Sequence, residues 1–554
     1  MSPASAVRLV KDTYLDSVVQ LSGTRAMRRV EGVDWASAAM ATPANLETLE
    51  QEGFDAGDWS GAGPGDLFLA VRASSDEALA AAEEAGRDAM FAARGTGSDR
   101  ASAEAAPRTQ QEALARQAGS NVAVISVPGA HAVLETHKAL GAGLDVLLFS
   151  DNVPVEAEVE LKSRAERLGR LVMGPGAGTA MLGRTCLGFA NVVAPLAERA
   201  GAVGTTRGAR GAGAVGATRG ARGAGAVGIV AAAGTGAQEA AALLDRFGVG
   251  VTHVVGVGGR DLTAAVGGPM GRLAVRALAA DENTDAVLLV SKPPDPAVAR
   301  SVVAEVGSTP LVASLIGMDA SLDESAAGSG SSRDAGSVVQ AATLESGVLA
   351  VLTALGREAP DVAAGLRAQV EEAIVGIGPQ RTLVRGLFSG GTLCYESLVV
   401  LARVLGPVHS NTPVDKSRTV PAPASSHVCL DLGEEEYTQG RPHPMIDPEA
   451  RIEHLREQGR DPEVAAIVLD VVLGYGSHPD PAGELAPVCA DVVANGGPRV
   501  VVYVLGTEQD PQDFQAQRRA FRDAGCVVTE TAARASLAAA AIARREPDLA
   551  ELAL

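Results

Sequence analysis

Residues 225–261 read GAVGIVAAAGTGAQEAAALLDRFGVGVTHVVGVGGRD, and this stretch decides the fold. An apolar run ends in Ala233-Gly234-Thr235-Gly236. A helical pattern follows, with Ala240, Leu243, Leu244 and Phe247 spaced for one face. A second apolar run ends at Gly256, Gly258 and Gly259. The order is strand, glycine turn, helix, strand, glycine turn. Parallel strands joined by crossover helices bring both turns to one edge of a sheet. Each turn opens a helix, so unpaired N–H groups and the positive helix ends face one crevice. That geometry suits a phosphate or a carboxylate. A plain strand–helix turn also uses glycine, but two such turns in consecutive units favour the anion site.

The rest of the chain repeats this alternation. At 554 residues it has room for roughly three to five domains. Residues 1–119 read as a small α/β module, ferredoxin-like in its order of strands and helices, with a polar linker from 94 to 119. Residues 120–199 resume strand–helix alternation, as a Rossmann-type doubly wound sheet requires. In 200–227, Gly-Ala-Val-Gly starts at Gly201, Gly213 and Gly225 around Arg207, Arg210, Arg219 and Arg222. The period is too short for a solenoid and predicts a flexible loop. Residues 228–356 form a central α/β domain with a Ser/Gly/Asp-rich loop at 318–335, and 381–554 form another α/β domain. The expected class is multi-domain α/β.

Aromatic residues are only 3% of the chain, so its cores must be built from Ala, Val and Leu. A formal charge of −20 argues against nucleic acid as the partner, because phosphate backbones need clustered Lys and Arg. No apolar run approaches the ~20 residues of a membrane span. The start, MSPASAVRLVKD, lacks a signal-peptide core. Cys186, Cys394, Cys429, Cys489 and Cys526 are scattered without Cys-x-x-Cys spacing, which predicts a reducing compartment. A cytoplasmic protein is expected. No His/Cys/Asp cluster has metal-ligand spacing, and a thiol nucleophile is unsupported.

Three glycine turns are candidate ligand shelves. Gly234, Thr235 and Gly236 are the first choice for a phosphate. Gly258, Gly259 and Arg260 form the second, with Arg260 suited to a bidentate anion contact or to pairing with Asp261. Ser389, Gly390, Gly391 and Thr392 form the third, a helix-start nest. Separately, GRPHPMIDP (440–448) gathers Arg441, His443 and Asp447 in one loop stiffened by three prolines. His443 suits a general base, since imidazole titrates near neutrality, and the loop equally suits a rigid domain contact. His478 is a second candidate, and His253, inside an apolar strand, is expected to be a core residue.

Residues 122–294 resemble the α subunit of succinyl-CoA synthetase and related acyl-CoA ligases. The carriers are VISVPGAHA, LLFSDNVP, RLVMGPGAGT, GIVAAAGTGAQE and VGVGGRDL. The C-terminal domain, with LFSGGTLCYE, CLDLG and AAIVLDVVLGYG, resembles the carboxy-terminal domain of the β subunit. The whole chain is most similar to the FdrA family, through MATPAN, FSDNVP, GVGGRDL, SKPP, GRPHPMIDP and LDVVLGYG. The resemblance implies a CoA-binding-type domain followed by two flavodoxin-like domains. Residues 254–408 contain no histidine, so the phosphate-carrying histidine of those ligases is missing, and no region can hold an ATP-grasp domain. The FdrA resemblance implies one subunit of an oxamate carbamoyltransferase of allantoin and purine breakdown. Carbamoyl phosphate or CoA would then be the ligand, and Arg441 would hold the carboxylate of a small acceptor. Companion subunits follow from the same resemblance. The alternatives are a succinate–CoA-type ligase completed by a separate ATP-grasp subunit, and a non-catalytic scaffold.

Overall fold

The computed structural model describes residues 4–15, 17–91, 107–183, 185–194, 225–318, 321–322, 337–438 and 441–554. The arginine-bearing repeats and most of the 318–335 loop lie outside the described residues. The chain divides into two compact units, residues 1–108 with 434–443, and residues 109–433 with 444–554.

The first unit is built from β1 (Ala4–Val10), α1 (Ser17–Arg28), β2 (Val33–Met40), α2 (Pro43–Gln51), β3 (Leu67–Ala73) and α3 (Asp76–Phe91). Strand β3 lies between β1 and β2, antiparallel to both. This is a split β-α-β arrangement with three strands, close to the ferredoxin-like expectation. Alternate residues of β3 serve two cores. Leu67, Leu69 and Val71 pack with Met27 and Met90, while Phe68 and Ala70 pack with Leu49, Phe54 and Trp59. The second core depends on α2 and a short turn at Ala56–Trp59, neither of which the apolar pattern predicts. Asp66 pins the β1–α1 turn, accepting from Lys11 Nζ at 2.9 Å, Asp12 N at 2.9 Å and Gly63 N at 2.8 Å. These donors, Lys11 first, hold its carboxyl down at about 2.

The second unit carries three sheets. Helix α4 (Gln110–Arg116), within the expected linker, leads into β4 (Val122–Ile125), α5 (Gly129–Gly141), β5 (Asp145–Leu148), α6 (Val155–Leu168) and β6 (Val172–Met173). These strands form a small parallel sheet in the order β4-β5-β6. The sheet therefore stops earlier than the expected boundary at 199. The next two strands, β7 (Thr179–Leu182) and β8 (Thr185–Gly188), form a hairpin that joins the central sheet beside β10.

The central domain continues with β9 (Ala226–Ala231), α7 (Gly234–Arg246), β10 (Gly250–Gly256), α8 (Pro269–Ala280), β11 (Ala286–Ser291), α9 (Pro296–Val303), β12 (Leu311–Leu315), β13 (Val338–Ala341) and α10 (Leu344–Ala354). Helix α11 (Leu366–Ile374) follows in the joining segment. The C-terminal domain contains β14 (Leu383–Phe388), α12 (Gly391–Leu405), β15 (Val408–His409), β16 (His427–Asp431), then α13 (Glu435–Thr438) in the segment assigned to the first unit. It closes with α14 (Glu449–Gly459), β17 (Val464–Val472), α15 (Pro481–Ala494), β18 (Arg499–Leu505), α16 (Phe514–Asp523), β19 (Val527–Thr529) and α17 (Ala532–Arg544).

Both large sheets are flavodoxin-like. The parallel strands run β10-β9-β11-β12-β13 in one, a 2-1-3-4-5 order, and β16-β14-β17-β18-β19 in the other, the same order with the two-residue β15 added parallel outside β16. One apolar core joins them through α7, α10, α12 and α17. Helix α7 is consequently buried from Thr235 to Asp245, where the sequence pattern predicts a single apolar face.

A charged network ties α6 to the turn after β10. The fully buried Lys162 donates to Glu158 at 2.7 Å, to the Val257 carbonyl at 2.8 Å and to Asp261 at 2.8 Å. Asp261 also accepts from Gly271 N. Removing the ammonium leaves two buried carboxylates facing each other. Lys162→Met is expected to cost about 3–5 kcal/mol, read as a lowered urea midpoint. A loss below about 1 kcal/mol, the surface-pair range, would show that the network contributes little.

Candidate functional site

Parallel sheets place ligands at the carboxyl edge where strand order reverses. In the central sheet that point lies between β9 and β11, and in the C-terminal sheet between β14 and β17. The first helix after each point starts with glycine, α7 at Gly234 and α12 at Gly391. The two starts meet, with Thr392 N donating to Thr235 Oγ1 at 3.2 Å. The approach is close. A Cβ on Gly236 would stand 2.9 Å from Thr392 Cγ2, and one on Gly390 would stand 2.8 Å from Thr235 Cγ2.

The first and third predicted shelves are therefore brought together, but their N–H groups differ in availability. Asp470 closes most of the α12 nest from within. Its Oδ1 accepts from Ser389 N at 2.7 Å and its Oδ2 from Gly390 N at 2.7 Å. Arg451, buried beneath, pairs with Asp470 at 3.1 Å. Ser389 and Gly390 thus serve an internal carboxylate. The α7 end is different. Ala233 supplies no side-chain cap, and among the described residues nothing accepts from the amides of Gly234, Thr235 or Gly236. The amide of Gly391 is likewise without an acceptor among them. Four N–H groups at two positive helix ends thus form a cradle of amides without an acceptor among the described residues.

The second shelf is structural. Arg260 Nε donates to Glu158 at 2.8 Å and its Nη2 to the Val153 carbonyl at 2.8 Å, so it pairs neither with Asp261 nor with an open site. Gly258 adopts φ +89°, and a Cβ there would stand 2.7 Å from the Gly174 carbonyl carbon. Gly259 continues the same turn. Arg441 and His443 fall in the first unit and Asp447 in the second. Asp447 Oδ1 accepts from Glu449 N, a local turn contact ahead of α14. His478 is buried, and its Nδ1 accepts from Asp480 N within its own loop. His253 is a partly exposed residue with Nδ1 3.8 Å from Asp281 Oδ2, not the enclosed core residue expected. The cysteines are free thiols, and burial pushes Cys429 up to about 12 and Cys394 well above its ordinary value. Neither is a ready nucleophile.

The sequence reading missed Asp470, Arg451 and Lys292. Asp470 sits in an apolar strand, where an unexplained charge was the available signal. Lys292 is the residue immediately after β11 and stands beside Gly391. The two glutamates one turn below the cradle were missed too. Glu239 follows Thr235 by four residues, and Glu396 follows Thr392 by four. Both are buried, with one oxygen each, Glu239 Oε1 and Glu396 Oε2, lacking a hydrogen-bond partner. Tyr503 donates to Glu239, and Leu344 N to Glu396. Arg246, Glu345 with its Arg534 partner, and Glu530 are the charged neighbours.

Three comparisons bear on this arrangement. Residues 387–542 match the family model described as CoA-ligase, and residues 1–107 match the model described as AllF, heavy metal-associated domain. The chain is 35% identical over 543 residues to YahF of Escherichia coli (strain K12), described as an uncharacterized protein, covering 95% of this chain and 96% of that one. It belongs to the YahF family. Among solved structures it is similar to PH0766 from Pyrococcus horikoshii OT3, at 14% identity and TM-score 0.27, covering 77% of this chain and 84% of that one. It is also similar to the dinucleotide-forming acetyl-coenzyme A synthetase 1 of Ca. Korarchaeum cryptofilum, at 17% identity and TM-score 0.23, covering 78% and 86%. The metal in the N-terminal description finds no ligands here. Residues 1–107 contain neither cysteine nor histidine, and no group of three or more His, Cys, Asp or Glu among the described residues is placed to hold a metal. No described helix is long and apolar enough to cross a membrane.

Burial raises the carboxyl of Glu239 to about 7, and burial with the charge of Glu239 raises that of Glu396 to about 8. The native state then holds more protons than the unfolded chain between the ordinary glutamate range and pH 8. Their contribution to stability is largest below that range and falls as pH rises through it, by up to about 1.4 kcal/mol per pH unit for each group. Glu396→Gln is expected to flatten this slope between pH 6 and 8.5 in urea unfolding. Parallel profiles for the variant and the parent would contradict it.

Proposed function

We propose that the chain is the acyl-phosphate-binding subunit of a carbamoyltransferase. Carbamoyl phosphate is the donor, oxamate or a similar small carboxylate the acceptor, and companion subunits complete the enzyme. The observation that carries this reading is the cradle of unpartnered amides at Gly234, Thr235, Gly236 and Gly391. When the acceptor nitrogen attacks the carbonyl carbon, negative charge grows on the carbonyl oxygen. It then grows on the phosphate as the carbon–oxygen bond breaks. Fixed N–H donors lower the energy of both changes. Thr235 accepts from Thr392 N and keeps its own hydroxyl proton to donate. The missing phosphocarrier histidine fits a donor that arrives already activated. The CoA-ligase match over 387–542 and the AllF description over 1–107 support an acyl-transfer scaffold of this kind.

The CoA-ligase match also supports a second reading, an acyl-CoA ligase completed by a separate ATP-grasp protein.

Calorimetry on the full chain separates the two. Carbamoyl phosphate is expected to bind, and Gly236→Val, whose side chain meets Thr392 and Val290, to weaken it at least tenfold while melting within a few degrees of the parent. With companion subunits, carbamoyl phosphate and oxamate are expected to yield oxalurate and phosphate. Binding of CoA without carbamoyl phosphate would replace the first reading by the second, and binding of neither would remove both.

A further inference from the structure

Lys292 stands at the carboxyl end of β11, the strand beside β9 at the switch point of the central sheet. Its Nζ lies 3.6 Å from where a Cβ on Gly391 would stand, at the first residue of α12. The ammonium is also 5.6 Å from the centre of the Tyr395 ring, whose face steadies a cation. It forms no ion pair with a described residue. An ammonium thus rests against one positive helix end and on the edge from which the other, that of α7, begins. Such like charges are stable together when a negative group lies among them. Asp431, whose Oδ2 borders the same Gly391 position and whose Oδ1 accepts from Gly433 N, supplies negative charge on the α12 side, so the α7 end is the one left for a ligand's charge.

The two flavodoxin-like sheets solve the same problem differently. In the C-terminal sheet the third strand, β17, carries Asp470, and that carboxylate satisfies the amides of its own helix start. In the central sheet the corresponding strand is β11, and a lysine follows it, while the amides of α7 receive no carboxylate from the described residues. Thr392, buried at the start of α12, links the two ends through its amide, which donates to Thr235 Oγ1.

We propose that Lys292 is the residue that makes this cradle selective for a phosphoryl group over a carboxylate. It does so by adding a full positive charge where a dianion can use it and a monoanion gains less. The inference rests on the cradle reading and goes further by naming the side chain that sets the ligand's charge. Lys292 is a binding residue here, and no bond is made or broken on it.

The test is calorimetry on the full chain with inorganic phosphate, carbamoyl phosphate and acetate, using the parent, Lys292→Gln and Lys292→Arg. Melting curves without ligand establish that both variants fold. The parent is expected to bind both phosphates, Lys292→Gln to lose at least tenfold in affinity for each, and Lys292→Arg to stay within about threefold, since guanidinium also pairs with phosphate. Acetate binding is expected to change little. If the parent binds phosphates and Lys292→Gln binds them equally well, the role of Lys292 is overturned while the cradle stands. An equal loss for acetate and the phosphates would also overturn the selectivity. If the parent binds none of the three, the cradle itself fails and this inference with it.

Discussion

Two helices that begin with their positive ends against each other need negative charge, and the second unit is arranged around that requirement. Thr392 N and Thr235 Oγ1 make the direct contact between them, 3.2 Å apart. Glycine at 236 and 390 lets the backbones approach that closely. Asp470 satisfies one end from inside the fold, with Arg451 buried behind it to orient the carboxylate. The other end has no such internal carboxylate among the described residues. A protein that satisfied both ends internally would be stable and inert. The asymmetry gives the seam between the sheets a chemical direction.

Much of this was legible in the sequence. Strand–glycine–helix spacing at 225–261 marks the central crossover and sets its glycine turns at one sheet edge. Ala, Val and Leu build the cores, as the scarcity of aromatic residues requires. The strand order was not legible, because 2-1-3-4-5 follows from pairing partners and not from the alternation itself. Helix α15 escaped notice because Pro481, Gly483 and Pro487 interrupt its periodicity. The hairpin β7–β8 is too short to show a clear pattern. Arg260 was a reasonable anion ligand until a carboxylate one hundred residues earlier in sequence, Glu158, proved to be its partner. Asp470 and Lys292 were hidden for a related reason. Asp470 lies within, and Lys292 directly follows, an apolar strand that reads as core, and only the second sheet explains why a charge belongs there.

The N-terminal unit shows how a family description and a site can part. Its fold matches a heavy metal-associated model, yet the turn between β1 and α1 is held by Lys11, Asp12 and Asp66. A carboxylate accepting three hydrogen bonds fixes that turn through local electrostatics.

Helix α17 shows what the seam allows. From Ala532 to Ala543 it is buried throughout and consists mostly of alanine. Methyl side chains have no rotamers to freeze, so this layer is ordered at little entropic cost beyond the backbone. It also holds no reserve of shape, since any larger residue would wedge two sheets apart. Added side-chain bulk is therefore accommodated outside this layer and not within it.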